Sequence, residues 1–148
     1  MCMALYMCSG RKPEEKKRND KYENIAISCL NGEDFSEILE VEKHFKYRYV
    51  YEFSYGGCAC DFSFLINEDM DDESRVIQEN RKKILLTFFD YLNEYIKDNG
   101  EVEIYSCWMG EEIKPRNTSL DMEINLKNFK MGDSFSFKDK QYVLITNS

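Results

Sequence analysis

EDMDDESRVIQENRKKILLTFFDYLNEYIKDNG, residues 68–100, decides the fold. Its apolar positions Ile77, Ile84, Leu85, Phe88, Leu92, Tyr95 and Ile96 recur at spacings of three and four, so they share one stripe of an α-helix. The acidic run Glu68, Asp69, Asp71, Asp72 and Glu73 stands just ahead, where carboxylates favour the positive end of a helix and Asp72 or Ser74 can cap it. Gly100 after Lys97 supplies a stop. The expectation is one long amphipathic helix over about 74–98, roughly 35 Å at ~1.5 Å per residue. A stripe of that length needs a sheet to cover.

Alternating segments on both sides supply strands. Downstream, Val102, Ile104, Ser106 and Trp108 alternate with Glu103, Tyr105, Cys107 and Met109. Leu120, Met122, Ile124 and Leu126 predict a further strand, and Phe135 to Phe137, the turn 138–140 and Tyr142 to Thr146 predict a closing hairpin. Upstream, Tyr47, Tyr49, Tyr51, Phe53 and Tyr55 share one face, expected to lie against the helix, and Arg48, Val50, Glu52 and Ser54 share the other, which suits solvent or a charged partner. Gly56-Gly57 predicts a tight turn into a paired strand carrying Cys58, Cys60, Phe62, Phe64 and Ile66 on one face. Met1 to Cys8 reads as a first strand and Ile25 to Leu30 as a second, with a short extra helix around Phe35, Ile38 and Leu39. Pro13 and Pro115 lie in polar stretches and mark loops, and there is no internal repeat. The predicted class is α+β: a mostly antiparallel sheet packed on one long helix, as a single domain over 1–148.

Composition narrows the function classes. Of 148 residues 43% are hydrophobic and 14% aromatic, too apolar for a disordered chain. Apolar runs of a few residues are far short of the roughly 18–20 that span a bilayer. Met1 to Cys8 is short, without a basic stretch before it or a small-residue cleavage pattern after it, so a signal peptide is not expected. Six cysteines in a core-rich chain of this size are expected as free thiols in a cytoplasm. A formal net charge of −8 repels phosphate backbones and attracts basic proteins, which argues against nucleic-acid binding. The cations Arg11, Lys12, Lys16, Lys17, Arg18 and Lys21 are interrupted by Glu14, Glu15 and Asp20, with no aromatic residue between them to stack a base, and read as a solvated loop.

Cys58-Ala59-Cys60 is the most suggestive local feature, because residues two apart on a strand point the same way and could offer two thiolates to one soft metal. A tetrahedral site would need two more ligands from Cys2, Cys8, Cys29, Cys107 or His44. Against this, cysteine often packs as a small hydrophobe, here in line with Phe62 and Phe64. His44 is the lone histidine, permitting a Cys-His pair, although no orienting acid is specified and a buried or surface imidazole without catalytic work is favoured. The acidic run lacks the spacing and glycine of a calcium loop. Phosphate-binding glycine loops, nucleophile elbows and zincin motifs are absent.

The blocks Met1-Cys2-Met3-Ala4-Leu5-Tyr6, Lys43-His44-Phe45, Gly57-Cys58-Ala59-Cys60-Asp61-Phe62 and Val102 to Trp108 span most of the chain in order. They resemble an uncharacterised family of small bacterial proteins with an M-C-M-x-L-Y start, a K-H-F block, a G-C-x-C hairpin and a C-W strand. That resemblance singles out Cys2, Cys58, Cys60 and Cys107 as a zinc-binding or thiol set and supplies no reaction. Where those relatives carry His-Glu ahead of the Gly-Cys, this chain has Tyr55-Gly56, so no His-assisted role at the hairpin carries over.

The function expected from charge and missing motifs is a non-catalytic protein-binding module without a cofactor, in the manner of an immunity or antitoxin-type inhibitor of a basic partner protein. Glu68, Asp69, Asp71, Asp72, Glu73, Glu111 and Glu112 are its expected contacts. The alternative is a zinc-binding or thiol-redox protein using the four cysteines.

Overall fold

The computed structural model describes residues 2–10, 25–29, 41–47, 49–55, 59–60 and 62–148. The long helix, α1, runs Asp72–Asn99. Its cap is Asp71, whose carboxylate accepts from the Ser74 backbone N–H at 2.7 Å. The sequence put the cap at Asp72 or Ser74; Ser74 instead supplies the donor, so the helix starts two residues earlier than expected. At its other end Gly100 takes φ 80°, a conformation a side chain resists, and closes its N–H on the Ile96 carbonyl at 2.9 Å.

The strands are β1 (Met3–Ser9), β2 (Ile25–Cys29), β3 (Tyr49–Tyr55), β4 (Ser63–Leu65), β5 (Val102–Trp108), β6 (Met122–Asn125), β7 (Ser134–Ser136) and β8 (Gln141–Thr146). Six of them form one sheet in the order β2-β3-β1-β5-β8-β6, and β4 pairs with β7 separately. All pairings are antiparallel except β6 with β8. The protein is thus α+β, with one long helix on a mostly antiparallel sheet.

Two expected hairpins do not form. β3 has β1 on one edge and β2 on the other, so both rows of its backbone donors and acceptors are taken and β4 cannot join it. β8 is likewise filled by β5 and β6, which leaves β7 to pair with β4 through Phe64 and Phe135. The turn 138–140 does exist, with Lys140 at φ 59°, but it joins strands of different sheets. Of the short extra helix, residues 35–40 lie outside the described residues; Glu42–His44 is one turn of 3-10 helix.

Beneath α1 the inward row is Leu5 and Met7 from β1, Tyr51 and Phe53 from β3, Val102 and Ile104 from β5, Ile124 from β6, and Val143 and Ile145 from β8. Leu85, Phe88, Phe89, Leu92, Tyr95 and Ile96 meet them from the helix. Ile77, expected in the stripe, stays 48% exposed. Here the helix meets the small β4–β7 layer, where Gln78 accepts from the Leu65 N–H and the Lys82 ammonium lies over the Phe64 ring.

The outer face of the sheet is also covered, contrary to the solvent-facing expectation for β3. Ala4, Tyr6, Cys8, Val50, Tyr105 and Cys107 form a second buried cluster closed by Val41, with Phe45 and Tyr47 packed against it. Burial on both faces explains why β1, Met-Ala-Leu-Tyr-Met-Cys-Ser, carries no charge.

Candidate functional site

The residues singled out in the sequence fall in three places. The acidic run lies at the start of α1. Asp71 is spent on capping, and the bonds from Ser74 hold its carboxyl below the usual range. Glu68, Asp69, Asp72 and Glu73 are exposed, and among the described residues none has a cation within ion-pair distance. The apolar side chains Leu65, Val76 and Ile77, 54%, 56% and 48% exposed, belong to the same end of the molecule. Exposed carboxylates and exposed apolar side chains thus lie together at this end of the molecule.

Glu111 and Glu112 do not extend that surface. Glu111 is paired with Lys114 at 2.7 Å and Lys140 at 3.0 Å. Glu112 is 3% exposed: Gly110, at φ 93°, turns the chain back, and the carboxylate accepts from Tyr6 Oη at 2.9 Å and the Gly110 N–H at 3.0 Å. Its expected role as a partner contact is therefore corrected, because the carboxylate is bound from within.

This contact belongs to a buried polar network on the outer face that the sequence did not announce. His44 Nε2 lies 3.0 Å from the Glu112 carbonyl, and the imidazole stacks on Tyr105 with centroids 4.0 Å apart. Burial pushes the His44 pKa below its ordinary value, against the pull of that carbonyl, so the ring is neutral and donates. The Tyr105 hydroxyl is buried without a partner among the described residues. Next along β5, burial and then the Glu112 charge push the Cys107 thiol up to about 12. Glu103 completes the network, accepting from the N–H groups of Lys46 at 3.0 Å and Tyr47 at 2.9 Å and from Tyr142 Oη at 2.6 Å. A neutral imidazole tied to a carbonyl and a thiol held protonated provide no activated nucleophile. The network fastens residues 41–47 and 109–116 to the sheet. Its one sequence signal is that Glu103, Tyr105 and Cys107 share a face, as alternation requires.

The cysteines divide. Cys58 lies outside the described residues, and Cys60 occupies a turn ahead of β4 instead of the expected strand. The Met3 N–H donates to Cys60 Sγ at 3.3 Å and the Ala59 N–H to the Met3 carbonyl, which brings the turn to the head of β1, next in the chain to exposed Cys2. Cys107 is fully buried within the second cluster, as is Cys8, whose thiol burial also pushes up to about 12. Among the described residues no three of His, Cys, Asp and Glu gather as a metal group. Thiolate is the reactive form, and burial that pushes a thiol up leaves far less of it. Iodoacetamide followed by peptide mass spectrometry is therefore expected to modify Cys2 in the native protein, and Cys8 and Cys107 only after unfolding. Equal labelling of all three would show that the outer face opens.

Among the described residues no helix is long and apolar enough to cross a membrane. Comparison with protein-family models, with curated proteins and with solved structures finds no match. The functional reading therefore rests on the residues.

Proposed function

We propose that this chain is a non-catalytic protein-binding module that engages a basic partner through the acidic start of α1, in the manner of an immunity or antitoxin-type inhibitor acting in the cytoplasm. The observation that carries the reading is the set of exposed carboxylates Glu68, Asp69, Asp72 and Glu73, none of them ion-paired among the described residues, beside exposed Leu65, Val76 and Ile77. Unpaired carboxylates steer a basic surface in, and the apolar side chains then lose water against it. The thiols of Cys2, Cys8 and Cys107, none of them in a disulfide, accord with a reducing compartment.

Affinity capture from the native host is expected to recover a basic protein that salt releases. With that partner in hand, the double substitution Asp72→Lys and Glu73→Lys should slow association about tenfold or more at low salt, because steering acts on the on-rate. Lys127→Glu, on an exposed turn after β6, should leave the rate close to that of the parent. Repeated recovery of no partner, or association indifferent to charge reversal and salt, would remove the proposal.

A further inference from the structure

Cys2 and Cys60, far apart in the chain, meet at the head of β1. We propose that they form a site of covalent modification, at which a small-molecule disulfide such as glutathione disulfide oxidises them to an internal Cys2–Cys60 disulfide. The Met3 N–H donates to Cys60 Sγ at 3.3 Å, and the trans peptide joining Cys2 to Met3 carries that N–H on the same side as the Cys2 Cα. Peptide geometry then sets the Cys60 sulfur roughly 4 Å from Cys2 Cα. Across a disulfide each Cα stands about 3–4 Å from the far sulfur, so bridging asks for little more than a turn about the Cys2 Cα–Cβ bond. Cys2 is exposed and has room for that turn.

Both backbones are held in place. Ala59 and Phe62, to either side of Cys60, are buried; the Ala59 N–H donates to the Met3 carbonyl at 3.1 Å and Ser63 Oγ to the Cys60 carbonyl at 3.3 Å. The Cys2 carbonyl accepts from the Met109 N–H at 2.8 Å. Two sulfurs fixed in this way react as one internal step and not as an encounter. Cys8 and Cys107 have no such geometry: Cys107 faces Ala4 and Cys8 faces Glu103, so four residues of strand, about 13 Å, separate them. In the reaction the Cys2 thiolate attacks one sulfur of glutathione disulfide, whose S–S bond breaks and releases one glutathione. The Cys60 sulfur, giving up its proton, then attacks Cys2 Sγ and displaces the second glutathione, which takes up a proton. Two protein thiols are thereby oxidised by two electrons, and one glutathione disulfide is reduced to two glutathiones. The product fastens the turn before β4 to the first strand, and an exposed disulfide of this kind is readily reversed by thiols.

Glutathione disulfide is the probe, added to the reduced protein near neutral pH, with remaining thiols alkylated before tryptic digestion and mass spectrometry without reductant. The expected product is a cross-link between peptides 1–11 and 49–75, reversed by dithiothreitol. Cys60→Ser, whose hydroxyl still accepts from the Met3 N–H, should stop at the mixed disulfide of Cys2 with glutathione, and Cys2→Ser should yield no cross-link. Cys8→Ser and Cys58→Ser should leave the cross-link at the parent's level. In urea, where no fold aligns the pair, its yield should fall about tenfold or more. A cross-link that survives in Cys60→Ser, one lost in Cys58→Ser, a parent that halts at the mixed disulfide, or an equal yield in urea would each overturn the proposal. None of these outcomes touches the protein-partner reading, which rests on the carboxylates at the start of α1.

Discussion

Phe88→Ala is expected to cost about 3–5 kcal/mol, the range for removing a buried phenylalanine ring. Phe88 is fully buried on α1, and its ring meets Phe53 of β3 and Phe62 ahead of β4, each at 5.0 Å between centroids, and Phe89 and Phe137 at 5.9 and 6.2 Å. Those partners belong to the helix, the six-stranded sheet and the segments leading to and from the small sheet, so none can close the gap without dragging its own element. A domain of this size holds about 5–15 kcal/mol in total, and the variant should be partly unfolded under conditions where the parent is not. Urea unfolding followed by circular dichroism measures it, with Phe88→Leu as a milder change costing about 1–2 kcal/mol. A midpoint equal to the parent's for Phe88→Ala would mean that the helix does not seal the sheet.

The same ring shows what was legible. The spacing of Leu85, Phe88, Leu92 and Ile96 names a helix face without knowledge of its surroundings, because 3.6-residue periodicity is local. Alternation likewise marked β2, β3, β5 and β6, while β1 was expected as a strand from its apolar run and β8 as one arm of a hairpin. Pairing was less accessible: a period of two assigns each side chain to a face but says nothing about which strand lies beside it. Gly56-Gly57 therefore suggested a β3–β4 hairpin, while the edge that β4 would have used is occupied by β1 or β2, each remote in sequence. The tyrosine row of β3 was read correctly at Tyr51 and Phe53, but Tyr47 lies outside the strand and packs on the opposite face.

The site residues divide for a comparable reason. Charge alone does not distinguish Glu111, paired at the surface, from Glu112, buried next to it; the difference comes from Gly110 reversing the chain. The carboxylates of residues 68–73 stay on the surface because they lead into and open a helix whose first turns bury little. Of the four cysteines that the family resemblance groups together, Cys2 and Cys60 meet the start of β1 while Cys107 is sealed into the outer cluster. Spacing could not separate them, since the cluster that seals Cys107 is closed by Val41, Phe45 and Tyr47, residues remote from it in sequence.

Glu103→Ala is the second large effect, expected at about 3–5 kcal/mol because partners of a buried charge are left unsatisfied. Glu103 is 1% exposed, and both oxygens of its carboxylate are engaged by the Lys46 N–H, with the Tyr47 N–H on one and Tyr142 Oη on the other. Lys46 and Tyr47 precede β3, so the carboxylate does there what a neighbouring strand's carbonyls would otherwise do. Alanine removes every acceptor at once and frees the chain that carries His44, Phe45 and Tyr47 from the outer face. Glu103→Gln keeps the shape but turns one acceptor into a donor facing a donor, and should fall between alanine and the parent. Exposed Glu123→Ala should stay within about 0.5 kcal/mol. Hydrogen exchange supplies the local readout: the Lys46 and Tyr47 amides should lose protection in Glu103→Ala before the amides of β5 do. If those two amides exchange at the parent's rate, the carboxylate is not what holds the segment, and the stacking of His44 on Tyr105 must hold it instead.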